Sequence, residues 1–522
     1  SNLKIVDKRL TTARILCYQP IPFSSHQIIF NIITEELQRQ GHHLVVLTAL
    51  PRKEPLENIT EIDVHELSYS MFEQGYKEAT KRRVSYAFTD TLDFLDIYSK
   101  VIGPIFDLQL RHPQVQALIK DETQQFDLIV MEANARMGVM FHARFHSPVL
   151  LVSTMTTSAE AFSHVGAETN HIFYPNYQLI PLQDTSFSER LCYFYNFVRL
   201  QLMIYAMSPQ VEDAFMRHLG QQVPSRSELN KGVGMLFLAM HHVWDNNRPV
   251  PIGSVLYMGA LHLKPPKSLP QDLNAFVDDS KHGVVIMSLG SKLKPSELPA
   301  RTLRSMADAF SKLPYNFICK WDTDEMPNKP NNVRLEKWLP QNDLLYHPNV
   351  KAFITHCGLQ STYEAIAAGV PLVGLPVYAD QWLNALQYEK QGIGIQLDID
   401  SLNEENFKEA VLAVVEDKKY RKSIGRLSRI VSDRRASGLQ TAVRWARVLA
   451  TRGARHVRSP LADVTFTEFY MLDLMLLALI CVLVVGSVVA FGVKRMTKLF
   501  LQAYTYLAQR RITIENNKII RE

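Results

Sequence analysis

A short stretch in the C-terminal half of this sequence gathers polar and small residues between two apolar runs. It reads THCGLQSTYEAIAAGVPLVGLPVYADQ and occupies positions 355–381. Apolar residues at 350–355 predict a buried strand, and the spacing that follows predicts a helix from about 359 to 368. The N-terminus of such a helix has unpaired N–H groups and a partial positive charge, which favour a phosphate. The side chains at this turn are His356, Gly358, Gln360 and Ser361. A purely structural turn can contain the same residue types, so this stretch alone leaves both interpretations open.

Alternating apolar strands and amphipathic helices surround the turn and must position it. The pattern begins with the strand ARILCYQP at 13–20, the helix SSHQIIFNIITEELQRQG at 24–41 and the strand HHLVVLTAL. Ser24 or Ser25 is the predicted N-cap of that helix, because a hydroxyl there can accept a backbone N–H. The runs FDLIVME and SPVLLVST predict two more buried strands. This order of elements predicts a doubly wound α/β domain with a parallel sheet.

A second α/β unit is predicted after the proline-rich stretch 246–270, which has the composition of an interdomain linker. It begins with HGVVIMSLGS at 282–291 and ends in helices from about 403 to 452. Further strands are predicted at 315–320, 333–337, 350–355 and 370–376. The predicted fold class is therefore α/β, with two Rossmann-like doubly wound domains that face each other across a cleft.

The net charge of the chain is concentrated at its C-terminal end. The 522 residues carry a formal net charge of +5. Residues 494–522 contain seven Lys or Arg and two Asp or Glu, so residues 1–493 hold fifty of each sign and are neutral. Because a nucleic-acid surface needs a local basic excess in the folded body, this distribution argues against a nucleic-acid partner.

The stretch LMLLALICVLVVGSVVAFGV at 474–493 has twenty residues and no charge. At about 1.5 Å per residue it matches a hydrocarbon core about 30 Å thick, so it predicts a transmembrane helix. The basic residues directly after it predict a cytoplasmic tail. The bulk of the chain would then lie on the luminal or outer side. We expect a signal peptide that has been cleaved or is missing, because the run SNLKIVDKRL is not apolar.

Cysteine and histidine spacing predicts neither a metal site nor a disulfide framework. The five cysteines are scattered and form no CxxC or Cys/His pattern. Asn58-Ile59-Thr60 is a glycosylation sequon that could be used only on the luminal side.

An unusually aromatic run, SERLCYFYNFVRLQLMIYAMS at 188–208, contains too many polar residues to cross a bilayer. One interpretation is an amphipathic helix packed on the N-terminal domain. The other is a helix whose aromatic face touches the membrane beside an acceptor pocket. The sequence leaves both open.

The stretch KWLPQNDLLYHPNVKAFITHCGLQSTYEAIAAGVPLVGLPVYADQWLNA resembles the signature of family 1 UDP-glycosyltransferases, which have the GT-B fold. The resemblance extends through HGVVIMSLGS, GALHLKPPKSLP and SDRRASGLQTAVRWA to the predicted membrane span. It covers the C-terminal half densely and the N-terminal half mainly around SSHQIIF, RQGHHLVVLTA and FDLIVMEA. The layout is similar to that of animal, and especially insect, microsomal members.

The resemblance implies a division of the chain into six segments. They are an acceptor-binding Rossmann-like domain (1–245), a linker (246–270), a UDP-sugar-binding Rossmann-like domain (271–452), a juxtamembrane segment (453–473), a transmembrane helix (474–493) and a basic cytoplasmic tail (494–522).

The resemblance also implies a nucleotide-sugar site around the turn. Trp338 would stack on uracil with Gln341 beside it, and Glu364 would accept hydrogen bonds from the ribose hydroxyls. Taken singly, Trp338 could instead be a core aromatic residue and Glu364 an ordinary helix-face carboxylate. The diphosphate would be held by His356, Gly358, Gln360 and Ser361, with Ser291 from the opposite loop, and the sugar hydroxyls by Asp380 and Gln381.

Two residues at the turn differ from patterns common in the family. Cys357 stands where animal members usually have a second glycine, although plant members have Cys there. Gln360 stands where plant members commonly have Asn.

His26 and Glu132 are the catalytic residues that the resemblance implies. His26 matches the histidine that acts as the general base toward the acceptor hydroxyl. Its usual partner is an Asp after a deeper strand, and here that position is Glu132 in VMEA. The carboxylate is kept, with one more methylene.

The implied activity is inverting transfer of a hexose from a UDP-sugar to a hydroxyl of a small lipophilic acceptor, which gives a β-glycoside. UDP-glucose is the expected co-substrate, with no other cofactor and no metal, and UDP-glucuronate is the alternative donor. A non-catalytic membrane-bound binder and a GT-B epimerase are alternative functions, and retention of His26 and Glu132 argues against the binder. The expected location is the endoplasmic reticulum membrane, as a single-pass type I glycoprotein with luminal catalytic domains. The sequence leaves the oligomeric state open, a homo-oligomer included.

Overall fold

A computed structural model places most of the chain in regular elements. It describes residues 12–80, 98–135, 138–156, 158–170, 172–174, 186–206, 208–220, 224, 226–433 and 435–519. Contacts divide the chain into two compact units, Ser1–Asp463 and Val464–Glu522. The first unit contains both predicted α/β domains, and the second contains the predicted membrane span.

The N-terminal half of the first unit is built on a seven-stranded parallel sheet. Its strands are β1 (Arg14–Gln19), β2 (His43–Thr48), β3 (Ile59–Asp63), β4 (Leu128–Glu132), β5 (Val149–Ser153), β6 (Val233–Leu238) and β7 (Val255–Tyr257). They lie in the order β3-β2-β1-β4-β5-β6-β7. Every residue of β4, β5 and β6 is buried, as expected for apolar strands covered on both faces. The order changes direction between β1 and β4, and a crevice opens at the carboxyl ends of strands at such a point.

The second sheet has six parallel strands. They are β8 (Val284–Ser288), β9 (Asn316–Lys320), β10 (Val333–Glu336), β11 (Val350–Thr355), β12 (Leu372–Gly374) and β13 (Gly394–Gln396). Their order is β10-β9-β8-β11-β12-β13. Thr355 pairs with Ser288, so the loop after β8 and the turn after β11 leave the sheet side by side.

Helices connect the strands and cover both sheets. The α-helices are Ser24–Arg39, His65–Thr80, Gly103–Arg111, Pro113–Lys120, Val139–Phe145, Ala159–Ser163, Phe187–Ala206, Ser208–Leu219, Arg226–Lys231, Gln271–Asp278, Ala300–Lys312, Gln341–Leu345, Leu359–Ala368, Gln381–Lys390, Glu404–Glu416, Lys418–Ser432, Arg435–Arg452, Phe466–Phe469 and Leu472–Ile519. Shorter π or 3-10 turns lie at Tyr98–Ile102, His242–Asp245, Pro295–Glu297 and Pro460–Asp463.

The helix after β1 begins one residue earlier than a serine cap would require. Phe23 is its N-cap and makes no side-chain cap hydrogen bond, so the predicted capping role of Ser24 or Ser25 is wrong. Both serines are already helical. The Ser24 hydroxyl instead lies 3.1 Å from the hydroxyl of Ser291 in the other domain.

Two segments do not follow the domain boundaries that the sequence predicted. Strand β7 lies inside the predicted linker 246–270 but pairs with β6 as the edge of the first sheet. The helix Arg435–Arg452 lies inside the predicted second domain, yet it packs in the core of the first sheet. Its buried residues there are Ala442, Val443, Ala446 and Leu449, in one cluster with Ile15 and Leu128. The chain therefore returns to the first domain, because an apolar face of that sheet needs a cover.

The Val464–Glu522 unit consists mainly of the helix Leu472–Ile519, which includes the predicted span 474–493. This helix contains a stretch long and apolar enough to cross a membrane. It continues beyond the predicted span, so the predicted tail 494–522 is helical as far as Ile519.

The aromatic run at 188–208 forms the predicted helix, Phe187–Ala206. Tyr193 and Leu200 are buried on one side of it. The exposed side carries Phe187, Leu191, Phe194, Val198, Leu202 and Tyr205, at the three- and four-residue intervals of one helix face. Contact of this face with a membrane stays a prediction.

Candidate active site

A cleft with a cavity volume of about 480 Å³ lies between the two sheets. That volume is in the ordinary range for a small-molecule site. The loop after β8 and the turn after β11 form one wall, and the first turn of the Ser24–Arg39 helix forms the other. All predicted site residues except Glu132 line this cleft, and Glu132 contacts His26 from behind it. The structure thus brings the predicted residues together, while their individual roles stay predictions.

The turn after β11 is built around the imidazole of His356. Gly358 is the N-cap of the Leu359–Ala368 helix, so the helix N-terminus with its unpaired N–H groups borders the cleft. A Cβ on either Gly290 or Gly358 would lie 2.7 Å from the ring, so both glycines are needed for its position. Burial and, second, the Lys320 ammonium lower the pKa of His356 to about 4. The ring is therefore neutral near pH 7 and has a single N–H. A hydrogen bond with the Ser288 backbone opposes the lowering of its pKa, so this N–H is engaged within the turn.

Cys357 adopts a left-handed backbone conformation with φ of 65°. A residue with a Cβ pays about 1–2 kcal/mol for this conformation, which explains the glycine common here in animal members of the resembled family. The thiol is buried, and Gly374 on β12 leaves room for it. A Cβ at Gly374 would lie 2.6 Å from the Cys357 Sγ.

The predicted nucleoside end of the cleft is organised by Gln341. Its amide Nε2 donates to Ser361 Oγ at 3.0 Å and to Glu364 Oε2 at 2.5 Å. Trp338 is 72% exposed, so it is not a core aromatic residue. The Lys320 ammonium lies 4.5 Å from the centre of its indole ring. An exposed indole at the rim of a cleft offers a flat apolar face for a base.

Ionisation of the Glu364 carboxyl should make donor binding depend on pH. Burial raises the pKa of Glu364 to about 7, although the hydrogen bond from Gln341 lowers it. A carboxylate accepts more strongly than a carboxylic acid from the ribose hydroxyls predicted to lie here, so affinity for UDP-glucose should rise with pH. Because the ionised fraction of a group with that pKa increases from about 0.09 at pH 6 to about 0.91 at pH 8, the expected gain is at most about tenfold.

Calorimetric titration with UDP-glucose at several pH values measures this effect. The matched control is Glu364→Gln, which should change by no more than about twofold across the same range, the part that ionisation of Asp380, with its pKa raised to about 6, can contribute. An equally steep pH dependence in that variant would assign the titration to another group.

Asp380 and Gln381, predicted to bind the sugar, follow β12. Asp380 Oδ2 accepts from the Thr156 backbone N–H at 3.3 Å and from Asn384 Nδ2 at 3.2 Å. Burial raises the pKa of Asp380 to about 6, and these hydrogen bonds oppose the rise. Asp380 therefore joins the second domain to the first at the predicted sugar end of the cleft.

Gln381 organises the loop that carries Asp380. Its side-chain oxygen accepts from the backbone N–H groups of Val377 at 2.9 Å and Tyr378 at 3.1 Å. The backbone at Ala379 is left-handed, with φ of 54°. The amide nitrogen of Gln381 is the part of this side chain that can donate to a sugar oxygen.

Two of the predicted phosphate-binding residues contact the opposite wall. Ser291 lies within hydrogen-bonding distance of Ser24, and Gln360 Nε2 donates to the Thr154 carbonyl at 2.6 Å. In this arrangement Gln360 joins the domains rather than facing a phosphate. Its predicted phosphate contact would need the side chain to leave Thr154.

His26 and Glu132 form a buried pair at the base of the acceptor wall. His26 Nδ1 lies 3.2 Å from Glu132 Oε2, and both side chains are almost fully buried. The longer carboxylate therefore reaches the ring. If Nδ1 donates to Glu132, the lone pair of Nε2 is available to take a proton. Thr154 Oγ1 also approaches Glu132 Oε2, at 3.5 Å.

Sequence reasoning missed two residues near the turn. Lys320 ends β9 beside the loop after β8, and its ammonium donates to the Gly290 carbonyl at 2.9 Å. Its place at the carboxyl end of a parallel strand could have indicated it. His262 has no such signal: it lies in the chain between the sheets, with Nε2 3.0 Å from the Gln360 carbonyl.

Within the described part of the chain, no group of three or more His, Cys, Asp or Glu residues is placed to hold a metal ion.

Two parallel Rossmann-like sheets with a cleft between them define a GT-B glycosyltransferase fold. A solved structure of similar fold is that of Arabidopsis thaliana UGT89C1 complexed with UDP-L-rhamnose. It has a TM-score of 0.53 at 16% sequence identity and covers 84% of this chain and 100% of its own.

The profile of the family described as "UDP-glucoronosyl and UDP-glucosyl transferase" matches residues 15–508, so the chain belongs to this family of UDP-glycosyltransferases. One similar protein is the ecdysteroid UDP-glucosyltransferase of Spodoptera littoralis nuclear polyhedrosis virus. It is 32% identical over 487 residues, which are 90% of this chain and 94% of the relative. The human UDP-glucuronosyltransferase 2B17 is 28% identical over 484 residues, with 88% of each chain covered.

Proposed function

We propose that this UDP-glycosyltransferase moves glucose from UDP-glucose to a hydroxyl of a small lipophilic acceptor, with inversion. The observation that carries the proposal is the position of His26. It lines the same cleft as the predicted UDP-sugar residues, and a buried carboxylate lies behind it. An acceptor hydroxyl at His26 would therefore meet the anomeric carbon of a bound donor in one cavity.

The proposed reaction is a single displacement without a cofactor. His26 Nε2 takes the acceptor proton while the acceptor oxygen forms a bond to the anomeric carbon. The bond from that carbon to the UDP oxygen breaks on the opposite face, so an α-linked donor gives a β-glycoside. The charge that develops on the UDP phosphate is stabilised at the Leu359–Ala368 helix N-terminus. Glu132 stabilises the imidazolium formed during the transfer.

Glucose is the proposed sugar because similar proteins are named UDP-glucosyltransferases. UDP-glucuronate is the second candidate, since the human relative is a UDP-glucuronosyltransferase. A hydroxyl-bearing lipophilic acceptor agrees with the ecdysteroid in the name of the viral relatives. A donor and acceptor screen read by mass spectrometry tests the proposal.

In the screen, a glucoside of a phenol or steroid, with release of UDP, is the expected product. A glucuronide would show that the donor is UDP-glucuronate rather than UDP-glucose. Free epimerised sugar would indicate an epimerase, and ligand binding without any product would indicate a non-catalytic binder.

Asp380→Ala should weaken UDP-glucose binding and the discrimination between sugars while UDP still binds as before. Losing one hydrogen bond to a neutral sugar hydroxyl typically costs about 0.5–1.5 kcal/mol, or about two- to tenfold in affinity. Gln381→Ala should act in the same direction and also loosen the 377–380 loop, because Gln381 holds two of its N–H groups. Competitive binding of UDP and UDP-glucose measures both effects. An equal loss of UDP affinity would place these residues at the nucleotide instead.

We also propose that the Leu472–Ile519 helix anchors the protein in the endoplasmic reticulum membrane with the first unit in the lumen. An apolar stretch of spanning length followed by basic residues supports this orientation. Deletion from Leu472 onward should release the protein only in part if the exposed face of Phe187–Ala206 also binds lipid. Flotation of both forms with vesicles at low salt measures this, and complete release would contradict a membrane role of that face.

A further inference from the structure

The ammonium group of Lys292 lies between the two domains. Its ammonium lies 3.9 Å from the ring centre of Tyr69, 5.3 Å from that of Phe72 and 5.6 Å from that of Phe23. All three distances are within the range of a cation–π contact. The rings belong to the N-terminal domain, whereas the lysine follows the loop after β8 in the other domain. Neither sequence motif nor family resemblance singled out this residue.

The ammonium faces the acceptor side of the cleft rather than the diphosphate turn. The neighbouring Ser291 already contacts Ser24 on the acceptor wall. The Phe23 ring lies edge-on to the His26 ring, with 5.5 Å between ring centres. Lys292, Phe23 and His26 all line the cleft. The distance between the Lys292 ammonium and His26, the proposed general base, is therefore one that a small aromatic molecule can span.

Within the part of the chain that the structure describes, no carboxylate lies close enough to neutralise the charge of Lys292. Among the described residues, no ion pair within 4 Å involves it, and Glu73 attracts it only at longer range. Burial lowers the pKa of Lys292 to about 8, so Lys292 is still protonated in most molecules at pH 7. A partly desolvated ammonium held by aromatic faces can donate a charge-assisted hydrogen bond to an anion that enters.

We propose that Lys292 is a specificity-determining residue that favours acceptors carrying a carboxylate in addition to the reacting hydroxyl. The hydroxyl lies at His26 and the carboxylate at the ammonium, with a flat acceptor body along Phe23. This inference rests on the proposed glycosyl transfer. A neutral acceptor of the same shape fills the same space but leaves the ammonium without an anion.

The test compares 4-hydroxycinnamate with its methyl ester, a pair that differs in the charge at one end. In the wild-type protein kcat/KM should be higher for the acid. Lys292→Met keeps the length of the side chain without its charge and should lower kcat/KM for the acid about ten- to hundredfold, as expected for a hydrogen bond to a charged group. The ester should change by less than about threefold. Lys292→Arg, which keeps the charge, should retain most of the preference.

Calorimetric binding of the two compounds to the UDP-loaded protein separates this inference from the proposed function. Lys292→Met should weaken binding of the acid by the same factor and leave the ester unchanged, whether or not a glycoside forms. Equal losses for acid and ester in Lys292→Met would overturn the inference and leave the lysine as an interdomain contact only. A wild-type preference for the ester would overturn it as well. Selective binding of the acid with no glycoside from either compound would overturn the proposed transfer and not the carboxylate site.

Discussion

Replacing His26 with alanine should lower the rate of transfer to a hydroxyl acceptor by about 10² to 10⁴, the usual contribution of general-base catalysis. An alcohol or phenol attacks poorly while it keeps its proton, and His26 is the group placed in the cleft to accept it. UDP affinity should not change, because the residues predicted to hold UDP belong to the other domain. Turnover with UDP-glucose and a weakly acidic phenol, together with UDP titration, measures both quantities.

His26→Gln is the matched control for His26→Ala. Alanine leaves the buried carboxylate of Glu132 without its ring partner, which could destabilise the fold and lower activity for that reason alone. Glutamine can still donate to Glu132 but is not a base, so it should lose as much turnover while thermal unfolding stays near wild type. Glu132→Gln should lose less than either. A more acidic acceptor should recover part of the loss in His26→Ala. Near-normal turnover of His26→Ala with a weakly acidic acceptor would place the base elsewhere.

Trp338→Ala should weaken UDP binding by roughly 5- to 150-fold, because stacking of an aromatic side chain on a base contributes about 1–3 kcal/mol. Trp338→Phe, which keeps a smaller flat face, should lose less. The indole is 72% exposed, so neither change should lower the free energy of unfolding appreciably. UDP titration and thermal unfolding of each variant measure the two effects.

Trp321 provides the contrasting case within the same chain. It is fully buried directly after β9, and its Nε1 donates to the Glu325 carbonyl at 3.1 Å. Truncation of a buried Trp typically costs about 3–5 kcal/mol of stability, so Trp321→Ala should lower the melting temperature strongly. If Trp338→Ala lost stability like Trp321→Ala and kept its UDP affinity, Trp338 would be a structural aromatic residue.

The sequence predicted the alternation of strands and helices well, because buried parallel strands are continuous apolar runs with polar breaks at their ends. The strand predicted at 350–355 and the helix predicted from about 359 to 368 match β11 and the Leu359–Ala368 helix. The edge strand β7 was missed, since three residues in a proline-rich stretch carry no periodic signal. Helices were predicted from about 403 to 452, but the sequence could not say which sheet the helix Arg435–Arg452 covers.

By itself the sequence determined the fold class, the family and the turn that follows β11, because these depend on local patterns and on a long stretch of matching residues. Only the tertiary structure decided which side chains meet across the cleft. It placed Glu132 against His26 despite a separation of 106 positions in the sequence, and it turned Ser24 from a predicted helix cap into a contact of Ser291. It also placed the Lys292 ammonium against three rings of the other domain. Such contacts depend on how two separately folded sheets are oriented, and that orientation arises from many weak contacts distributed over both domains rather than from any local pattern of residues.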